Sequence, residues 1–140
     1  ALAEWLVSRG ESVVMLGAPG ELEQVSAAMP AVGAVNLCGQ LSLAEWLAAI
    51  AAGAAVVAND SAATHVAVGF GRPLVAIYGA TDPAAVGPFG RADSVVSPSG
   101  IAPTDPHAYR RDALAMRMQL VSVDAVRERL QVQMQRGPLW

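Results

Sequence analysis

The sequence predicts an α/β fold, a Rossmann-like parallel sheet with helices on both faces. Three observations carry that expectation. Short Val- and Ala-rich runs alternate with stretches of helical spacing at intervals of about 20 residues, the rhythm of right-handed βαβ crossovers. The first of those runs, Ser12 to Leu16, is short and apolar, as expected for a buried strand. The 140 residues are 54% hydrophobic but only 5% aromatic, which suits a sheet covered closely by small-faced helices better than an aromatic-cored sandwich.

Each element follows from local chemistry. Ala1 to Leu6 opens in helical rhythm and Arg9-Gly10 stops it. Ser12 to Leu16 is a short apolar strand bounded by Gly17, and a Gly-Ala-Pro-Gly loop leads into a helix from Glu21 to Met29 that Pro30 ends. Ala34 to Leu37 is the second strand. Ser42-Leu43-Ala44-Glu45 has the spacing of a capping box and starts a helix that runs to about Ala52. Ala54 to Ala58 is the third strand, Asn59-Asp60-Ser61 turns into a helix ending at Gly69, and Arg72 to Tyr78 is the fourth strand. From Gly79 to Pro106 the chain is loop-like, with Ser94 to Val96 as an edge strand, and a last helix spans Val123 to about Gln135. His107 to Met118 reads as helical. The whole chain, 1–140, reads as one domain.

Composition excludes several chemistries. All nine basic residues are Arg, so neither a Schiff-base amine nor a P-loop lysine exists in this sequence. A net charge of −3 with no arginine stripe argues against nucleic acid as a partner. The longest apolar run, Trp46 to Ala58, covers 13 residues and falls short of the roughly 18 a membrane span requires, so the chain reads as soluble. Its single cysteine, Cys38, permits no internal disulfide and reads as a buried small hydrophobe. No Asp-x-Asp pair is present to hold a divalent ion, and no metal site is expected. Because the chain opens at Ala1 without an initiator Met and already in helical rhythm, we expect further sequence ahead of it.

In an open parallel sheet, ligands bind outside the carboxyl ends of the strands. Those ends here are Gly17 to Glu21, Asn59 to Ala62, and Tyr78 to Pro83. Two of these loops run directly into helix starts, where free amides favour an anion such as phosphate. Asp60 would repel a phosphate and is better suited to accept from sugar hydroxyls, with Ser61 and the amides of Ala62 and Ala63 toward the anion. His65, four residues after Ser61, shares its helix face. The same stretch also reads as an ordinary cap, with Asp60 or Ser61 at the N-cap and His65 partly buried and locally satisfied. Glu21 reads either as a ribose acceptor or as a surface acid in a first helical turn. Gly69-Phe70-Gly71 is no dinucleotide fingerprint, since it precedes a strand and Leu74 stands at the third Gly position. His107 and Tyr109-Arg110-Arg111 read as a solvated loop face.

Taken together, Asn36 to Leu43, Val56 to Ser61 with His65, Arg72 to Pro83 and Gly87 to Gly90 resemble, in order and spacing, the C-terminal half of the bacterial lipopolysaccharide heptosyltransferases, glycosyltransferase family 9. The resemblance covers residues 1–96 and returns at Val121 to Leu130. It implies a nucleotide-sugar donor-binding domain, the C-terminal half of a GT-B glycosyltransferase that is inverting and metal-independent and needs no cofactor. The implied donor is ADP-L-glycero-D-manno-heptose, and the acceptor is the lipid A–core sugar, held by an N-terminal domain absent from this chain. By position, Glu21 would meet the ribose, Leu41 the adenine and Asp60 the heptose. Ser61, Ala62 and His65 would line the diphosphate site, with Thr81 on the neighbouring loop. The catalytic base belongs to the N-terminal domain, so none is expected here, and a phosphate-binding Lys is implied just upstream. The family's usual Gly is replaced by Ala62, and its cysteine-bearing stretch has no counterpart in Ser97 to Met118. The resemblance implies a cytoplasmic enzyme and admits peripheral contact with the inner face of the inner membrane. Two other readings are a GT-B donor domain for a different nucleotide-sugar and a non-catalytic flavodoxin-like binding module.

Overall fold

The computed structural model describes residues 1–79, 81–98 and 117–139. The chain forms two compact units, Ala1–Ala49 and Ile50–Trp140.

In the first unit, helix α1 (Leu2–Ser8) is followed by strand β1 (Val13–Met15), a 3₁₀ turn (Pro19–Glu21), helix α2 (Leu22–Ala28) and strand β2 (Ala34–Asn36). The strands pair in parallel with Val14 opposite Val35. The ladder continues past their ends, where Leu37 N donates to the Met15 carbonyl at 3.0 Å and Gly39 N to the Gly17 carbonyl at 2.9 Å. Cys38 is buried there as the sequence predicts, its thiol donating to the Ala18 carbonyl at 3.1 Å. Gly39 is obligatory. Its φ is +71°, and a Cβ would stand 2.8 Å from the Pro19 Cα.

Helix α3 (Leu43–Ala52) begins with the predicted capping box. The Glu45 carboxylate accepts from the Ser42 amide at 2.8 Å and hydroxyl at 2.6 Å. These two bonds hold the Glu45 carboxyl below the usual carboxylate range.

The second unit is built on three parallel strands in the order β3 (Val56–Asn59), β4 (Leu74–Ile77), β5 (Val95–Val96). Helix α4 (Ala62–Gly69) makes the crossover from β3 to β4, and α5 (Pro83–Val86) and α6 (Val123–Arg136) follow. Leu74, Val75 and Ala76 are consecutive and fully buried. Successive strand residues point to opposite faces, so both faces of β4 are covered. The elements packed against it include α4 and α6. β4 starts two residues later than the sequence predicts because Pro73 has no N–H to give the ladder; its carbonyl still accepts from Val56 N at 2.8 Å. β3 also lies later than predicted, at Val56–Asn59. α5 falls where the sequence reading placed loop. Asp82 caps it by accepting from Ala84 N at 2.9 Å, with Pro83 in the first turn.

Arg91 and Gln133 are buried polar residues that satisfy each other: the Arg91 guanidinium donates to Gln133 Oε1 at 2.6 Å. Gln133 Nε2 in turn donates to Asp93 Oδ2 at 2.9 Å, tying α6 to the turn before β5. Tyr109-Arg110-Arg111 and residues 107–116 of the interval read as helical, His107 to Met118, lie outside the described residues; residues 117 and 118 are helical.

Candidate functional site

The site is built where β3 and β4 end. Asn59 pairs with Ile77 in the parallel register, and the next amide, Asp60 N, donates to the Ile77 carbonyl at 3.0 Å. The ladder thus runs one residue beyond β3 and fixes the Asp60 backbone. From the loop after β4, the Thr81 hydroxyl donates to Asp60 Oδ2 at 2.6 Å. Two of the sequence-predicted site residues, 21 positions apart, are therefore brought into direct contact.

Tyr78 lies beside them, and the sequence reading did not single it out. It is fully buried, and its hydroxyl donates to the Val86 carbonyl at 3.3 Å. Burial, helped by the negative charge of Asp60, pushes the phenol up to about 12. Tyr78 is thus a neutral donor near neutral pH. A signal was available: a Tyr placed at the C-terminal end of a wholly buried strand needs a partner for its hydroxyl.

The start of α4 differs from the ordinary cap that the sequence allowed. Ser61 occupies the N-cap in extended backbone, φ −159° and ψ 172°, but its hydroxyl makes no capping hydrogen bond. Thr64 closes the turn instead. It is buried, its hydroxyl donates to the Asn59 carbonyl at 2.9 Å, and its amide donates to the Ser61 carbonyl at 3.1 Å. A β-branched threonine one turn inside can reach back where Ser61, held extended, cannot. Ser61, Ala62 and His65 are exposed. The partly buried, locally satisfied His65 of the alternative reading is not what the structure shows.

Met118 borders the same strand end: a Cβ on Gly79 would come within 2.9 Å of its sulfur.

Glu21 and Leu41 belong to the first unit. Glu21 is exposed and accepts from the Ala18 amide at 2.7 Å, closing the 3₁₀ turn. That is the helix-start role the sequence also allowed. Leu41 is half-buried after a turn in which the Gln40 side chain donates to the Asn36 carbonyl at 2.8 Å.

An open depression lined by Pro83, Gly87, Phe89 and Asp93 contains none of the predicted site residues. Among the described residues, no group of three or more His, Cys, Asp or Glu is placed to hold an ion, and no helix is long and apolar enough to cross a membrane.

Residues 1–113 match glycosyltransferase family 9 (heptosyltransferase). The chain is 39% identical over 88 residues to lipooligosaccharide heptosyltransferase 2 of Haemophilus influenzae, an alignment spanning 59% of this chain and 25% of that protein. It is 36% identical over 88 residues to lipopolysaccharide heptosyltransferase 2 of Escherichia coli, with the same shares. Among solved structures, it resembles E. coli ADP-heptose lps heptosyltransferase II with a TM-score of 0.70 and 29% identity, over 96% of this chain and 40% of that one. The glycosyl transferase family 9 structure from Veillonella parvula shares the fold, with a TM-score of 0.76 and 20% identity over the same fractions of the two chains. The chain spans about a quarter of the length of the curated relatives it matches. Its parallel sheets and crossover helix, its motifs and the match over 1–113 agree: the chain belongs to glycosyltransferase family 9, the heptosyltransferases.

Proposed function

We propose that this chain is the donor-binding half of a heptosyltransferase that moves heptose from ADP-L-glycero-D-manno-heptose to the lipopolysaccharide inner core, with inversion and without a metal or cofactor. The observation that carries the reading is the Asp60 carboxylate, held by Thr81 at the carboxyl edge of β3 and β4 and followed at once by the start of α4. A carboxylate accepts from sugar hydroxyls, and the adjacent helix amides favour the diphosphate. Ser61, Ala62 and His65 are exposed at that helix start and would line the diphosphate side. Glu21 and Leu41 would meet ribose and adenine, and Glu21 has already committed one carboxylate oxygen to the Ala18 amide.

In the reaction, the acceptor oxygen bonds to the anomeric carbon as the bond from that carbon to the diphosphate oxygen breaks. The acceptor proton passes to a base in an N-terminal domain, and ADP leaves with the electron pair. What this chain does is stabilise the charge that grows on the departing diphosphate. We place the enzyme on the cytoplasmic side of the inner membrane, where its lipid A–core acceptor would be met.

Calorimetric titration of ADP, UDP and GDP tests the donor class. ADP is expected to bind with clear preference; preference for UDP would overturn the ADP-heptose assignment.

A further inference from the structure

The Thr81 hydroxyl has one proton, and that proton is committed to Asp60 Oδ2 at 2.6 Å. The oxygens of an ionised diphosphate only accept hydrogen bonds, so Thr81 cannot bind them while this bond stands. A hydroxyl-to-carboxylate bond is charge-assisted and among the stronger side-chain contacts. The loop that presents Thr81 is braced on either side. Tyr78 anchors to the Val86 carbonyl at 3.3 Å, and Asp82 caps α5 through Ala84 N at 2.9 Å. On the Asp60 side the backbone is already pinned to Ile77, so the direction of its exposed carboxylate is set by its side-chain neighbours, Tyr78 beside it and Thr81 through the 2.6 Å bond.

We propose that Thr81 is a positioning residue that acts through Asp60, aiming its carboxylate at the hydroxyls of the donor sugar, and is not a ligand of the diphosphate. This rests on the donor-binding function proposed above. It divides that site into a sugar-reading pair, Asp60 with Thr81, and a separate anion side at the start of α4. Preorientation of this kind contributes to sugar-nucleotide recognition and nothing to binding of the bare nucleotide.

The test measures the KM for ADP-heptose and the affinity for ADP in the full-length enzyme. Thr81→Val is expected to raise the donor KM about tenfold, the worth of one charge-assisted hydrogen bond, while ADP affinity stays within about twofold. Thr81→Ser keeps the hydroxyl and is expected to restore the wild-type KM. In an Asp60→Ala background, Thr81→Val should add no further loss, because its partner is gone. Retained ADP affinity shows that the Val variant folds.

Equal weakening of ADP and ADP-heptose by Thr81→Val would make Thr81 a diphosphate ligand and overturn the proposal. So would losses that multiply in the double variant. Normal ADP binding by the wild type with an unchanged donor KM in Thr81→Val removes this inference alone. Failure of the wild type to bind ADP removes the donor assignment and this inference with it.

Discussion

Tyr78 is where a single side chain links strand, loop and site. Its hydroxyl gives the Val86 carbonyl a partner at 3.3 Å while the Asp60 charge lies nearby. Its folded-state pKa is raised from 10.0 to about 12. The stability this contributes is fully present below pH 10 and is lost as pH climbs toward about 12. Tyr78→Phe is therefore expected to flatten the loss of stability across that window and to remove the high-pH step from the tyrosinate absorbance titration. It should cost about 1 kcal/mol near neutral pH through the unpaired carbonyl. A variant that keeps the high-pH step would show that Tyr78 is not the group that titrates there. Cys38 is the simpler case. Its burial was legible from its being the single cysteine of the sequence, because a lone thiol behaves as a small hydrophobe.

Helix termini were legible where chain neighbours satisfy one another. Ser42 and Glu45 form the predicted box within four residues. The Asp82-Pro83 start of α5 carries an equally local signal but lies in a Gly- and Pro-rich stretch, whose composition outweighed it. Illegible altogether was the network joining α6 to the turn before β5, because its members are some 40 positions apart: Gln133 reaches Asp93 and Arg91, and Arg136 pairs with Asp93. Burial alone would raise the Asp93 carboxyl, but the Gln133 hydrogen bond and the charges of Arg91 and Arg136 together hold it below the ordinary value of 3.8. The stability it adds is thus present above pH 3.8 and lost as pH falls below that value. Asp93→Asn is expected to lower Tm at neutral pH by a few degrees, since Asp93 is part-exposed and the pairing is worth roughly 1 kcal/mol. The variant should also lose less stability than wild type on acidification. Equal acid sensitivity in thermal melts would place the titration elsewhere.

At the scale of the whole molecule, the core is unevenly shared. Leu74, Val75, Ala76, Tyr78, Val126 and Leu130 are buried in the second unit, while Pro30 and Cys38 are the buried apolar side chains of the first among the described residues. Val14 and Val35, paired across β1 and β2, are about half exposed, at 49% and 54%. Local opening free energy follows buried apolar contact. Amide hydrogen exchange on the 140-residue chain should therefore be slowest in β4 and α6 and markedly faster in β1 and β2. Uniform protection across all five strands would contradict this ordering.

The sequence by itself determined the α/β class, the order of the strands and of every helix described here except α5, the family and the carboxyl-edge loops that carry the candidate residues. Those features rest on local periodicity, caps and contiguous motifs, which a chain displays without folding. Tertiary structure alone decided that the Thr81 hydroxyl donates to Asp60, that Thr64 rather than Ser61 closes the α4 turn, and that Tyr78 anchors the loop after β4. Each depends on a hydrogen bond a few ångströms long whose geometry is set by the folded backbone: the Thr81 bond needs β3 and β4 side by side, and the other two need the turns that follow those strands to be formed.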